Sequence, residues 1–358
     1  MEEWETKKLG EIATFSKGKG ISKSDIEENG IIECIRYGEL YTHYREVINE
    51  IKSKTNVNPS TLVLSEKNDV IIPASGETTI DIATASCVLK SGIALGGDLN
   101  IIKTNINGIF LSYYLNSKKK MEIANLAQGI SVVHLYSSQL ASLSLSLPKL
   151  NEQNRISSFL ALIDERIQTQ NKIIEQLETL IKGLCQKLIL NQVPNKKINN
   201  CVSSYSSSLT ESDVIDKNGI YPVYGATGII AFTENPQINE DAILIIKDGS
   251  GVGKVQYASD KFSVIGTLNY LTVKPDVNLK YIFFCLKYFN FEKYKVGSGI
   301  PHIYFKDYGE TFIYCPPLEE QNKIESLLSS IDSKINIETQ YIKELKEQKT
   351  FLFQQMFV

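Results

Sequence analysis

The stretch nearest to a catalytic motif is a glycine-rich loop, Gly249-Ser-Gly-Val-Gly-Lys254. Phosphate-binding loops space glycines and a lysine in a similar way, so that backbone N–H groups and an ammonium surround a phosphate. Here the first glycine position is Asp248, and Val255 stands where a serine or threonine would ligate magnesium. The spacing therefore predicts a turn or loop between strands. Glycine would still let Lys254 and its backbone approach a sugar–phosphate chain closely.

Other residues that could carry out chemistry are few. The three histidines form no His-Glu-x-x-His zinc motif, and no pair of carboxylates stands out as the metal site of a nuclease. Asn235-Pro-Gln-Ile is the nearest approach to the Asn-Pro-Pro-Tyr motif of amino-methyltransferases, and it lacks the second proline and the aromatic residue. The chain is therefore predicted to be a reader or scaffold, with no catalytic residue and no metal site of its own.

Two of the histidines stand in a context that occurs twice. A glycine, a histidine and a tyrosine recur at an offset of 168 residues: Gly129, His134 and Tyr136, then Gly297, His302 and Tyr304. The recurrence favours a shared role for the two histidines. A core or hinge histidine is an equally good interpretation.

The same offset relates two longer blocks, each with the pattern Pro-x-Leu-x-Glu-Gln-Asn-x-Ile. In both blocks, apolar residues then follow in alternating steps of four and three, the heptad spacing of a coiled-coil helix. Prolines stand just before the two runs and not inside them, which is typical of helix starts. The predicted helices cover 148–190 and 316–358, about 60 Å each at about 1.5 Å per residue.

The seams of the two helices are predicted to pack on each other as a coiled coil. The seam residues are Ile156, Leu160, Ile163, Ile167, Gln170, Ile174, Leu177, Ile181, Leu184, Leu188, Ile324, Leu328, Ile331, Ile335, Glu338, Ile342, Leu345, Leu352 and Met356. Gln170 and Glu338 are polar residues near the middle of each seam, where they cost stability but can fix the register. Lys349 also interrupts the second seam. Two long core helices with no special role are the simpler alternative.

The segments that precede the helices, 1–147 and 191–315, are predicted to be β-rich globular units. Short apolar runs such as Val70-Ile-Ile and Ile243-Leu-Ile-Ile are bounded by polar residues and glycine, as β-strands are. Gly97-Asp-Leu-Asn in the first unit resembles Gly266-Thr-Leu-Asn in the second. The chain is therefore predicted to be a duplicated unit, in the order globule, helix, globule, helix.

Composition narrows the class of protein. The apolar fraction of 42% and the charged fraction of 22% are those of an ordinary globular protein. No run approaches 18 apolar residues, and the first residues show no secretory signal, so neither a membrane span nor export is expected. The six cysteines form no Cys-x-x-Cys, which indicates a reducing compartment. We therefore expect a cytoplasmic protein.

The charge distribution restricts how the globular units could bind nucleic acid. Residues 1–147 carry 15 basic and 17 acidic side chains, and residues 191–315 carry 12 of each. A protein that grips phosphate over its whole surface would be strongly basic. If the chain binds nucleic acid, its cations must be concentrated locally, or partner proteins must supply others.

The duplicated motif resembles the specificity subunit of type I restriction–modification systems. Leu150-Asn-Glu-Gln-Asn-Arg-Ile156 and Leu318-Glu-Glu-Gln-Asn-Lys-Ile324 carry the resemblance, each with a long helix after it and a β-rich globule before it. The opening stretch Trp4–Ile12 and the stretch Tyr221–Gly228 are also of that kind. The resemblance covers essentially the whole chain.

The resemblance implies an α+β fold in which two β-rich α/β target-recognition domains, 1–147 and 191–315, are separated by two long antiparallel coiled-coil helices, 148–190 and 316–358, with pseudo-two-fold duplication. Each domain would read one half of a bipartite site in double-stranded DNA. The helices would dock two methyltransferase (modification) subunits and, through them, restriction/translocase subunits. S-adenosylmethionine, ATP and Mg²⁺ would be bound by those partners, and this chain would hold no cofactor and would not be an enzyme.

Base reading needs hydrogen-bond donors and acceptors at the groove edge, where Arg and Lys favour guanine and Asn and Gln favour adenine. The resemblance therefore makes DNA-contacting candidates of polar side chains on both globular units. The candidates are Lys17, Lys19, Arg36, Tyr37, Arg45, Ser75, His134 and Tyr136 in the first unit, and Tyr224, Thr227, Lys247, Ser250, Lys254, His302 and Tyr304 in the second. For any single lysine, a solvated surface residue is an equally good interpretation.

Two other functions agree with parts of the sequence. A coiled-coil adaptor whose globular units bind protein would suit their near-neutral charge. A specificity subunit that serves a bifunctional type II enzyme would have the same features as a type I subunit, because the distinguishing chemistry lies on the partner chain. A steep fall of DNA affinity with added salt would separate a DNA reader from the adaptor.

Overall fold

The structure is a computed structural model that describes residues 4–214 and 219–357. The chain divides into two compact units. Unit 1 consists of Met1–Thr169 and Ile342–Val358, and unit 2 consists of Gln170–Tyr341. Each unit therefore combines one globular part with segments of both long helices.

The globular part of unit 1 is built on two sheets. Its strands are β1 (Glu5–Lys8), β2 (Ala13–Lys17), β3 (Ile32–Ile35), β4 (Val47–Ile48), β5 (Ser53–Thr55), β6 (Val63–Leu64), β7 (Val70–Pro73), β8 (Ser75–Gly76), β9 (Ser86–Val88), β10 (Ala94–Leu95), β11 (Leu99–Thr104), β12 (Val133–His134) and β13 (Ser144–Leu147). A five-stranded sheet has the order β2-β11-β7-β9-β4, and a four-stranded sheet has the order β5-β3-β10-β6. β1 pairs with β13, and β8 pairs with β12. Strand β7 is buried along its whole length, as its unbroken apolar run predicts.

Short helices cover the sheets of unit 1. They are α1 (Leu9–Ile12), α2 (Glu39–Thr42), α3 (Thr79–Ile82), α4 (Gly108–Ser117), α5 (Lys120–Leu126) and α6 (Ser137–Ala141). Helix α4 begins after Asn107, whose side chain accepts a hydrogen bond from the Phe110 N–H at 2.9 Å. Phe110 is fully buried in a core that also includes Leu160 of the first long helix and Phe357, which follows the second.

Unit 2 repeats the arrangement in a smaller form. Its strands are β14 (Lys196–Lys197), β15 (Val202–Ser206), β16 (Tyr221–Gly225), β17 (Gly228–Thr233), β18 (Ala242–Ile246), β19 (Val255–Ala258), β20 (Ser263–Val264), β21 (Leu268–Val273) and β22 (Phe312–Ile313). Its short helices are α8 (Ile198–Cys201), α9 (Leu279–Lys287) and α10 (Phe305–Tyr308). The sheet order β15-β21-β18-β19 matches β2-β11-β7-β9 of unit 1, and a second sheet has the order β17-β16-β20. The α+β class and the duplication are thus confirmed.

A long helix follows each globular part in the sequence. The two long helices are α7 (Leu150–Cys185), which continues as a π turn over Gln186–Leu190, and α11 (Leu318–Met356). Within unit 2 their segments run antiparallel, because the Gln170 side chain donates to the Glu338 carboxylate while Ile189 and Ile324 share one core. Among the described residues, no helix has both the length and the apolar character needed to cross a membrane.

The predicted seam residues are all buried or half-buried. The sequence pattern missed Cys185 and Ile189, which are buried next to the half-buried seam residues Leu184 and Leu188. The π turn begins at Gln186 and contains more residues than an α turn, so it rotates Ile189 away from the position that a strict heptad would give it. The pattern also missed Phe357, just beyond α11, which is fully buried in unit 1.

The repeated Glu-Gln-Asn motif attaches each long helix to the globular part of its own unit. In unit 1, the buried Gln153 accepts a hydrogen bond from the Asn107 N–H at 3.0 Å and donates to the Pro148 carbonyl at 2.9 Å. The Asn107 side chain also donates to the Asn154 side chain at 2.7 Å. Asn107 caps α4, so one short motif fixes the start of α7 against the start of α4.

Unit 2 makes the same contacts with the second copy of the motif. Gln321 accepts from the Asn278 N–H at 2.9 Å and donates to the Pro316 carbonyl at 2.7 Å. Asn278 donates to Asn322 at 2.8 Å, and it caps α9 as Asn107 caps α4. The motif therefore recurs because the same hydrogen bonds recur.

We expect Gln321→Ala to lower the free energy of unfolding by about 2 to 3 kcal/mol, because it leaves the half-buried Asn278 N–H and the buried Pro316 carbonyl without their partner. Urea-induced unfolding followed by far-UV circular dichroism measures the change. The matched control is Glu319→Ala two residues earlier, where an exposed ion pair with Lys323 is lost and the change should stay within about 0.5 kcal/mol. Equal losses in both variants would contradict the role assigned to Gln321.

Candidate functional site

Four polar side chains of unit 1 come together where β7 and β2 end. β12 pairs with β8, so that His134 lies opposite Ser75. The Lys17 side chain extends from the end of β2, and its Nζ lies 5.9 Å from the centre of the Tyr136 ring. We call Lys17, Ser75, His134 and Tyr136 the first strand-end cluster.

The backbone holds the two rings of this cluster in place. His134 and Gln128 exchange N–H···O hydrogen bonds of 2.7 and 2.9 Å. The buried Asn100 side chain donates to the Leu135 carbonyl at 2.9 Å, between the two aromatic residues. The rings of His134 and Tyr136 are stacked with 6.4 Å between their centres, and both side chains are exposed. Two exposed rings and a nearby ammonium thus stand on a rigid support.

A cleft of about 770 Å³ contains Arg36 and Tyr37 and borders the first strand-end cluster. Asp98 lines it, and the Asp98 carbonyl accepts from the N–H of Ala74, the neighbour of Ser75. The charged side chains that line the cleft are Lys23, Arg36, Asp25, Glu39, Glu77 and Asp98. Arg36 is already engaged, because its Nη2 lies 3.2 Å from the buried Glu39 carboxylate. This excess of carboxylates suits hydrogen-bond donors such as base amino groups better than phosphate.

The structure places Lys19 near the first cluster and Arg45 away from it. Lys19 is exposed just after β2, and its N–H donates to the Leu95 carbonyl at 2.9 Å. Arg45 is exposed. The carbonyl of its neighbour Glu46 accepts a hydrogen bond from the Cys87 N–H of β9. Cys87 pairs with Val70 at the start of β7, whereas Ser75 follows the end of that strand. Arg45 is therefore at the opposite end of the sheet from His134.

Unit 2 has an equivalent cluster after β18. Asp248 and His302 lie opposite each other in a β-bridge, and the His302 Nδ1 is 2.6 Å from the Asp248 Oδ1. Tyr304 is exposed, and the Lys306 Nζ lies 5.4 Å from the centre of its ring. Lys247 immediately precedes Asp248 and is half-buried. We call Lys247, Asp248, His302 and Tyr304 the second strand-end cluster.

The strand register shows which positions of the two clusters are equivalent. Ile72 pairs with Asn100 in unit 1, and Ile245 pairs with Asn269 in unit 2. Counting three residues onward from each isoleucine places Asp248 at the position of Ser75. The backbone hydrogen bonds agree with this equivalence. The Leu135 N–H donates to the Ala74 carbonyl, and the Ile303 N–H donates to the Lys247 carbonyl, both at 3.0 Å. The two units thus share one backbone frame and present different side chains on it.

The glycine-rich loop is a turn between β18 and β19, as its spacing predicts. Four backbone N–H groups of this loop donate hydrogen bonds to backbone carbonyls of unit 2, those of Gly249, Val252, Gly253 and Lys254. These N–H groups are therefore not free to surround a phosphate. The Gly249 N–H donates to the Pro301 carbonyl at 3.0 Å, which brings the exposed Ser250 and Lys254 near the second cluster.

Tyr224 and Thr227 belong to the smaller sheet of unit 2. Tyr224 is half-buried with its ring edge-on to Phe262, 5.7 Å between centres, and burial raises the pKa of its hydroxyl. Its carbonyl accepts from the Ile265 N–H, and the Thr267 carbonyl accepts from the Lys247 N–H. Tyr224 is therefore joined to the second cluster through the chain from Ile265 to Thr267. Thr227 is exposed in the turn between β16 and β17.

Two kinds of residue in these sites were not among the candidates predicted from the sequence. The buried Asn100 supports the strand end of unit 1, and Asn269 is buried at the equivalent position of unit 2; their recurrence in Gly-x-Leu-Asn was a signal for them. From the sequence, Asp248 was noted only as a residue that departs from the phosphate-loop motif, although its carboxylate contacts His302 directly. Among the described residues, no group of three or more His, Cys, Asp or Glu side chains is arranged to hold a metal ion.

Comparison with known proteins gives a consistent result for the whole chain. The family model described as the type I restriction modification DNA specificity domain matches residues 1–179 and again residues 197–347. The type I restriction enzyme MjaVIII specificity subunit of Methanocaldococcus jannaschii is 23% identical over 397 residues, which cover 97% of this chain and 90% of that protein. The putative MjaX specificity subunit of the same organism is 25% identical and covers 96% and 85%.

Solved structures have the same fold. The crystal structure of a type I restriction–modification S subunit from M. genitalium superimposes with a TM-score of 0.76 at 18% identity, over 99% of this chain and 96% of that one. A chain from a structure of complex assembly and conformational transition in a type I restriction–modification system gives a TM-score of 0.55 at 18% identity, over 99% and 97%.

Proposed function

The chain belongs to the type I restriction–modification DNA specificity family, and we propose that each of its strand-end clusters reads one half of a bipartite DNA site. The observation that carries this proposal is the pair of equivalent clusters. Both keep a His-x-Tyr segment on the same backbone frame, while Ser75 in one unit corresponds to Asp248 in the other. Two different half-sites require this combination of a shared frame and different hydrogen-bonding groups.

As a member of this family, the chain is a non-catalytic DNA-recognition subunit. Methyl transfer and DNA cleavage then belong to other subunits of the complex. We propose that S-adenosylmethionine, ATP and Mg²⁺ are bound by those partners and that this chain binds none of them.

The long helices are proposed to dock two methyltransferase subunits and, through them, restriction/translocase subunits. Several large apolar side chains on the helices are exposed in the isolated chain: Phe159, Leu162, Leu180, Leu327, Ile337 and Phe351. Surfaces of this kind on a long helix are typical of protein interfaces. The solved type I complex-assembly structure with the same fold supports a role in such an assembly.

Lysines at the cluster edges are expected to supply the phosphate contacts. Lys254→Ala should weaken binding to cognate and unrelated duplexes about equally, and it should reduce the slope of log affinity against log salt by about 1, because one counterion fewer is released. The measurement is duplex affinity of the full chain between about 50 and 200 mM salt. Lys261→Ala is the matched control, because Lys261 is exposed beyond the opposite end of β19.

The salt titration also tests the proposed function itself. A DNA reader must lose affinity steeply as salt rises, whereas an adaptor for proteins would bind DNA weakly and with little sequence preference. If the unmodified chain shows no preference for any duplex and no dependence on salt, the proposed function is wrong.

A further inference from the structure

His302 in the second strand-end cluster is held by a carboxylate that the sequence patterns did not single out. Its Nδ1 lies 2.6 Å from the Asp248 Oδ1, and about a third of each side chain is exposed, 37% and 33%. An ionised carboxylate can only accept a hydrogen bond, so the hydrogen of this bond is on Nδ1. Asp248 therefore fixes Nδ1 as the ring nitrogen of His302 that is engaged in a hydrogen bond within the protein.

The fold also restricts a second edge of the His302 ring. Gly297 has a φ of +92°, and a β-carbon at this position would lie 3.4 Å from the His302 Cδ2 and 2.6 Å from the Ile300 carbonyl oxygen. The backbone of His302 exchanges hydrogen bonds of 2.8 and 2.9 Å with Val296. With Nδ1 bonded to Asp248 and Cδ2 against Gly297, Nε2 is the ring nitrogen that remains for a ligand.

We propose that Asp248 is a positioning residue for base recognition: it orients the His302 ring so that Nε2 contacts the edge of one base in the half-site that unit 2 reads. This inference rests on the proposed function. A ring that is held at Nδ1 presents Nε2 in a fixed direction, which a single hydrogen bond to a base edge requires for discrimination.

The carboxylate beside the histidine is present in unit 2 and has no counterpart in unit 1. In unit 1, the position of Asp248 is occupied by Ser75, and the neighbouring position has Ala74 where unit 2 has Lys247. A serine hydroxyl can rotate and can donate or accept, so it does not impose one tautomer on His134 as a carboxylate does. Loss of Asp248 should therefore change one half of the recognised site and leave the other half unchanged.

The test is selection from a duplex library with both halves randomised, sequenced before and after binding to the full chain. The variants are His302→Ala, Asp248→Ala and Asp248→Asn. Asp241→Ala is the matched control, because Asp241 precedes the same strand that Asp248 follows and accepts from the Tyr257 hydroxyl at 2.7 Å.

We expect Asp248→Ala to reduce the preference at one base position about tenfold, at the same position that His302→Ala affects. Asp248→Asn keeps an acceptor oxygen and should retain more of the preference, and Asp241→Ala should retain all of it. If His302→Ala changes that position and Asp248→Ala does not, the inference fails while the proposed function stands. An equal loss at every position of that half would show a structural role and would also overturn the inference. No enriched site with the unmodified chain would contradict the proposed function.

Discussion

Replacing Lys349 by alanine is expected to lower the free energy of unfolding of unit 1 by about 3 to 5 kcal/mol, the cost of removing one partner from a buried ion pair. The Lys349 Nζ lies 2.7 and 2.9 Å from the two carboxylate oxygens of Asp164 and 3.3 Å from Glu46 Oε2. The three side chains are 11%, 15% and 14% exposed. The variant would leave two largely buried carboxylates without their cation.

An aromatic residue completes this buried network. Tyr113 is fully buried, and its hydroxyl donates to Asp164 Oδ2 at 2.5 Å. Burial and then the nearby Asp164 carboxylate raise the pKa of Tyr113, so the hydroxyl keeps its proton and remains a donor. The Lys349 Nζ also lies 5.3 Å from the centre of this ring, within range of a cation–π contact. The network thereby fastens the end of α11 to the globular part of unit 1.

Urea-induced unfolding followed by tryptophan fluorescence measures this effect, because the single tryptophan, Trp4, packs against Phe110 in unit 1. Lys343→Ala is the matched control on the same helix, where the side chain is exposed and the expected change is within about 0.5 kcal/mol. A loss below about 1 kcal/mol for Lys349→Ala would mean that the network contributes little net stability.

The second large effect concerns recognition. The double variant His302→Ala/Tyr304→Ala is expected to weaken binding to the cognate duplex about 100-fold, because two base contacts contribute about 1 to 3 kcal/mol each. Binding to an unrelated duplex, and the salt dependence of that binding, should change little, because the two side chains are proposed to contact base edges and not phosphate.

The matched control for this variant is Phe312→Ala. Phe312 lies in the pair of β14 and β22 and is exposed to nearly the same degree as Tyr304, 52% against 49%. Fluorescence anisotropy with labelled duplexes gives the affinities of both variants. Unchanged cognate affinity in the double variant would remove the second strand-end cluster from the DNA interface.

Features with a local signal could be predicted from the sequence. The heptad seams indicated the long helices, because residues three and four apart share a helix face whatever lies beyond it. The glycine-rich loop was predicted to be a turn from its spacing alone. Even so, the π turn at Gln186–Leu190 was not predicted, because the seam residues Leu184 and Leu188 keep the heptad step of four residues through it.

Pairs that are distant in the sequence could not be found in this way. Asp248 and His302 are 54 residues apart, and Lys349 is 185 residues from Asp164 and 303 from Glu46. These contacts depend on strand order and helix packing, which residue types do not specify. The duplication helped only where both copies kept the same residues. It therefore drew attention to the two histidines and passed over Asp248, whose counterpart is Ser75.

The measurement that tests the central claim most directly is genomic methylation mapping. Cells would express the chain together with the methyltransferase subunit of the same system and would be compared with cells that express a chain lacking residues 191–358. The account predicts a bipartite methylated motif, two short specified halves around a fixed gap, that is present with the full chain and absent with the truncated one. A motif that does not depend on the chain, or no motif at all, would contradict the claim that this chain reads the DNA sequence.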